Sequence, residues 1–155
     1  PMPCRYAAIR LNPVAMVADL GLDDERTLAE AQNLKTKTYL AFLSHPEGLP
    51  VRRMRWCRYN VELIGTTLRT ANPEQGITSD MVVPIAPNFS HPYGRKPIHT
   101  TPPFPFANCF HWVDNDVTVC IRMRESGFDH IGSFKVDPEQ YIAMVRSFEE
   151  DYERI

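Results

Sequence analysis

No stretch of this sequence approaches the ~18 consecutive apolar residues that a membrane-spanning helix needs. No charged start leads into an apolar run, so no secretory leader is expected unless one has already been removed. The final Tyr152-Glu153-Arg154-Ile155 carries no prenylation cysteine. Cysteine is sparse: Cys4, Cys57, Cys109 and Cys120 are irregularly spaced and form no C-x-x-C. That argues against a disulfide-stapled secreted domain and for reduced thiols in a cytoplasmic or nuclear setting, where the triplet Asn88-Phe89-Ser90 has no meaning as a glycan acceptor. Neither charge sign dominates. With 17 basic and 19 acidic residues the net charge is −2, which announces neither a nucleic-acid nor a membrane partner. Phosphate loops, G-x-G-x-x-G, H-E-x-x-H, G-x-S-x-G and zinc-ribbon spacings are all missing. This lowers the expectation of catalysis without removing it, because active sites assemble in space. There is no internal repeat or low-complexity tract.

What is present suits one globular domain over residues 1–155. Hydrophobic residues make up 43% of the chain, enough to bury a core. Residues 4–11 read as a first strand. Residues 14–20 read as a short helix stopped by Gly21. Asp23 or Asp24 caps a helix expected over about 24–43, with a partial stripe of Leu28, Ala31, Leu34, Thr38 and Phe42. Residues 51–64 and 66–70 read as strands, and Asn72–Gly76 as a turn. Residues 109–123 read as a hairpin turning at Asn115-Asp116, pairing Phe110 with Ile121 and Trp112 with Val119. Asp137, Pro138 and Gln140 predict a capped helix over 138–153 with an apolar stripe. On that helix Glu149, Glu150, Asp151 and Glu153 read as a solvated acidic end.

Seven of the fourteen prolines lie between Pro84 and Pro105. Proline lacks the ladder N–H, so this stretch is expected to be extended backbone wrapped over the domain. Phe89, Tyr93, Ile98, Phe104 and Phe106 are its expected anchors. The architecture expected from sequence is α+β: an antiparallel sheet of about five strands, two main helices packed on it, and the proline-rich covering loop.

Four sets of residues could carry chemistry. Cys109, His111 and Cys120 share a face in the expected hairpin and suit zinc, but a closed site needs a fourth ligand. A buried sheet face explains them equally well, so no metal or other cofactor is expected. Arg52, Arg53, Arg55 and Arg58 interleave with Trp56 and Tyr59. That pattern can bind single strands, phosphates or carboxylates, and it also describes a solvated strand edge. His91, Tyr93, Arg95, Lys96 and His99 cluster in the proline loop. With Asp114 or Asp116 nearby, His91, His99 or His111 could form an acid–base pair. Tyr93, Arg95 and Lys96 could equally be a peptide or domain contact. Lastly, Pro1 resembles the N-terminal proline that tautomerases use as a general base, though the repeated βαβ pattern of that family is missing.

The leading functional expectation is a non-catalytic binding or regulatory module. It would act through protein–protein contacts made by the 84–105 loop, with homo-oligomerisation open. A small hydrolase or lyase with a site between the 91–99 loop and the 109–123 hairpin is second. A weak nucleic-acid module using the 52–58 strand is third, with membrane association not expected.

Overall fold

The computed structural model describes residues 2–48 and 55–155. In chain order the elements are β1 (Arg5–Arg10), α1 (Pro13–Asp19), α2 (Glu25–Asn33), β2 (Thr38–Pro46), β3 (Trp56–Gly65), β4 (Val82–Pro84), β5 (Thr100–Thr101), β6 (Phe110–Arg122), β7 (Lys135–Val136) and α3 (Pro138–Tyr152). The fold is richer in sheet than the sequence suggests. Among the described residues seven strands, not about five, form one antiparallel sheet in the order β4-β6-β3-β2-β1-β7-β5, with three α-helices, not two main ones.

The sequence does not predict the short strands β4, β5 and β7, and two longer segments take other forms than expected. The helix expected over 24–43 ends at Asn33. Its second half is β2, where Ala41 and Phe42 are fully buried. Thr38, Tyr39 and Phe42 favour a pleated surface, and that preference outweighs the partial helical stripe. The 109–123 hairpin is one long strand, β6, paired along β3. Phe110 lies opposite Gly65, Val119 opposite Tyr59 and Ile121 opposite Cys57. Asn115 and Asp116 are not a turn. Asp116 pairs with Glu62, and Asn115 lies in the bulge where the register slips between Glu62 and Ile64 and Asp114 takes φ +52°. Residues 66–70 form no strand.

The proline segment opens as β4, whose proline is its last residue, and closes as β5. These are the two ends of the strand order. Between them Ile98 N–H donates to Pro84 O at 3.0 Å, and Ala86 N–H donates to Ile98 O at 2.9 Å. The segments that continue the two edges thus bond to each other at this bridge, which covers part of the open backbone that an edge strand presents. Proline at such positions costs no ladder bond. Of the five expected anchors, only Ile98 and Phe104 are buried; Phe89, Tyr93 and Phe106 are exposed. Ile85 and Asn88 do the anchoring instead.

The C-terminal helix runs as expected from Pro138 behind Asp137, but the capping box does not form. Gln140 Oε1 accepts from His99 N–H at 2.8 Å, and the Asp137 carboxylate holds Lys135 and Thr101. Met144 is buried, Tyr141 stacks on Phe42, and Phe148 packs against Ile77, Met81 and Val113.

Two compact units emerge. One comprises residues 1–7 and 41–155; the other, Ala8–Leu40, holds α1, α2 and the adjoining ends of β1 and β2. In the second unit Asn12 caps α1 through Ala15 N–H, and Asp24 caps α2 through Thr27 N–H. No helix among the described residues is long and apolar enough to cross a membrane.

Candidate functional site

The proline loop is built around histidine and arginine used as internal fasteners. His91 Nδ1 accepts from Tyr93 N–H and Arg95 N–H, both at 3.2 Å, and Nε2–H donates to Asp80 O at 2.8 Å. These partners assign the ring tautomer. Gly94 turns the apex with φ +70°. Arg95 then points inward. Its guanidinium meets both oxygens of Asp151 at 2.7 Å in a fork and also donates to Val82 O. Asp151 is fully buried, which corrects its reading as part of a solvated acidic end. Arg154 completes the cluster, reaching Asp80 at 2.8 Å and Asp151 at 3.3 Å. Hydrogen bonding from Arg154 holds the Asp80 carboxyl down at about 2.

The loop's outer side carries what the fasteners leave over. Phe89 is 68% exposed and Tyr93 80% exposed, with Lys96 and His99 also on the surface. Asn88 lies beneath them. Its amide donates to Cys109 O at 3.1 Å and its oxygen accepts from Ser90 N–H at 2.9 Å.

A second group of polar residues is buried. His111 has no exposed surface. Tyr6 O–H donates to its Nε2 at 2.7 Å, and its Nδ1–H donates to Glu62 Oε2 at 2.8 Å. Phe42, Phe104 and Phe148 pack around the pair. Burial, reinforced by the Glu62 charge, pushes the Tyr6 phenol far up, so it stays a donor. Glu62 is 13% exposed and faces a small cavity of about 130 Å³. Ser44, Asn60, Asp114, Asp116 and Tyr152 line it too. Asn60 Nδ2 donates to Asp116 at 3.0 Å. The β6 bulge shapes this wall: Asn115 Nδ2 donates to Leu63 O, and Trp112 Nε1–H donates to Thr67 O while its ring covers Gly65.

The structure therefore regroups the residues picked out in the sequence. His111 meets a carboxylate, but it is Glu62, not Asp114 or Asp116. His91 and His99 are held by Asp80 O and Gln140 respectively. Cys109 is buried, and burial pushes its thiol up. Cys120 is exposed opposite Arg58. Among the described residues no three His, Cys, Asp or Glu side chains gather as a metal site. Arg55 is exposed, Trp56 is half-buried, and Arg58 pairs with Glu47 at 3.0 Å. Arg52, Arg53 and Pro1 lie outside the described residues.

Sequence reasoning missed Tyr6, Glu62, Asp80 and Asp151. Tyr6 and Glu62 lie 105 and 49 residues from His111, and no local pattern links them. Asp151 did carry a signal: it stands seven residues after Met144, on the buried stripe of α3. Compared with protein-family models, curated proteins and solved structures, the chain matches none.

Proposed function

We propose that this chain is a non-catalytic binding or regulatory module that contacts a protein partner through the 84–105 loop. The observation that carries this reading is the contrast within the loop. Its backbone is fixed by Ile85, Asn88, Ile98 and the Arg95–Asp151 fork, while Phe89 and Tyr93 stand 68% and 80% exposed. A loop held in place before binding loses little entropy on docking, and tyrosine is a frequent hot-spot residue. Arg95 is committed internally, so Phe89, Tyr93 and Lys96 are the binding side chains. A cytoplasmic or nuclear setting suits the four unpaired thiols. The test is a Phe89→Ala/Tyr93→Ala variant with the parent's melting temperature. A partner captured by the parent and rebound as a purified pair should lose at least tenfold in affinity for the variant. Equal affinity would sink the proposal.

One observation favours the hydrolase or lyase reading: Glu62, oriented by the His111 Nδ1–H, opens onto a cavity. An acid–base role would fall to Glu62, since His111 and Tyr6 are closed off from solvent. Turnover in an esterase and lyase substrate panel, abolished by Glu62→Gln in a stably folded chain, would establish it. Nucleic-acid binding stays third, because Arg58 is neutralised by Glu47.

A further inference from the structure

The Ala8–Leu40 unit has little core of its own. Ala31 is its one buried residue, and α1 has none. Its large apolar side chains face outward: Leu11 is 52% exposed, Met16 51%, Leu20 74% and Leu34 62%. Between the helices and the end of β1 lies a groove of about 480 Å³, lined by Leu11, Val14 and Leu34 and equally by the polar Arg10, Asn12 and Gln32. Isolated apolar side chains at a surface need no explanation, but four large ones exposed on so short a unit, two of them lining one groove, mark an interaction site.

The charges of the unit are divided between its ends. Asp19, Asp23, Asp24 and Glu25 surround the turn between α1 and α2. Arg10, Lys35 and Lys37 sit at the opposite end, where α1 begins and α2 finishes. Arg26 is occupied by Glu30 at 3.0 Å and does not offset the acidic end. The exposed leucines follow the same division, Leu20 beside the acidic turn and Leu11 and Leu34 beside the basic end, so the surface is complementary to itself turned end for end.

We propose that the α1–α2 face is the dimerisation surface of this protein and that its occupant is a second copy of the chain. The two copies pack about a two-fold axis, so the acidic turn and Leu20 of each lie on the basic end and leucines of the other. Helices of seven and nine residues are only about 10 and 14 Å long. Such a face is smaller than the ~800 Å² per partner of a standard stable interface, so the dimer is weak and forms with rising concentration. Charge pairs at its two ends make it weaker in high salt.

Sedimentation velocity on the full chain from about 5 to 500 µM tests this at low and high salt. The parent should dimerise with a Kd on the order of tens of micromolar, at least threefold weaker in high salt. Leu20→Asp should be monomeric throughout. Asp19→Lys/Asp23→Lys/Glu25→Lys and Lys35→Glu/Lys37→Glu should each be monomeric alone, yet form a heterodimer when mixed, because both ends are then matched again. That mixture also shows that each variant is folded. A parent that stays monomeric at the highest concentration, or a dimer indifferent to both reversals, would overturn the proposal. So would a pair of reversed chains that fail to associate.

Discussion

Asp151 depends on its partners more than any other side chain described above. It is fully buried and charged, and Arg95 supplies two of its hydrogen bonds. Arg95→Ala leaves a buried carboxylate facing only Arg154 at 3.3 Å. Loss of one partner from a buried pair costs about 3–5 kcal/mol, and a urea melt should show at least the lower figure. Arg95→Lys should recover only part of it, since an ammonium cannot reproduce the fork. If Arg95→Ala melts with the parent, the pair contributes nothing and the loop is held elsewhere. Gly65 is constrained differently. A Cβ there would lie 2.2 Å from the Trp112 ring. Gly65→Ala should cost about 1–3 kcal/mol by overpacking and shift Trp112 fluorescence. Unchanged emission would mean the ring moves aside freely. Tyr59 offers the reverse case. Burial, aided by Cys57 and Cys4, pushes its phenol up to about 12, and its buried hydroxyl has no hydrogen-bond partner among the described residues. Tyr59→Phe should therefore hold or gain stability, by up to about 1 kcal/mol.

At the scale of elements, the segment before β4 is tied to the end of α3 through Asp80 and Arg154. The Asp80 carboxyl titrates at about 2 when folded, against an ordinary value of 3.8. A depressed carboxyl contributes stability that is fully present above the ordinary value and disappears as pH falls through the folded one. The urea midpoint should therefore be flat from pH 7 to 5 and fall between about pH 4 and 2. Asp80→Asn should be less stable at pH 7 by no more than about 2 kcal/mol, reduced by screening at the half-exposed Arg154, and should converge on the parent near pH 2. Parallel curves for parent and variant would contradict the link.

Elements with strong local signals were legible in the sequence. Asn12-Pro13 and Gly21 bound α1, Asp24 caps α2, and Asp137-Pro138 starts α3. Where two signals competed, the longer-range one won. Asn115-Asp116 has turn chemistry, but β3 offers β6 a pairing partner along its length, so Asp116 pairs with Glu62 and Asn115 falls in a bulge. Leu34, Thr38 and Phe42 fit a helical stripe, but Phe42 is buried from a strand beside Tyr6 and His111. The Tyr6–His111–Glu62 chain could not be read at all, because three strands bring it together. The loop was legible as ordered, through its prolines and apolar residues, while the direction of each side chain was not.

At the scale of the whole molecule, cohesion is uneven. The unit of residues 1–7 and 41–155 holds the buried aromatics and the joined strand edges, whereas Ala8–Leu40 has one buried residue. Amides of α1 and α2 should exchange with deuterium by local opening, well before those of β3 and β6. Raising the protein concentration should slow that exchange selectively if the helices meet in a dimer. Uniform protection across the chain would show that the two units open as one.

The place of β1 in the strand order sets a timetable for synthesis. Arg5 pairs with Lys135, and Tyr6 N–H donates to Phe134 O at 3.0 Å, so one side of the first strand waits for a partner about 130 residues downstream. At translation rates of about 5–20 residues per second, that wait lasts roughly 7 to 26 s. During this time β2 can occupy one flank of β1, but the other flank stays uncovered on the ribosome. The nascent chain is thus most open to mispairing with its neighbours on a polysome until β7 emerges, and an early stop anywhere before Phe134 would leave that flank permanently bare.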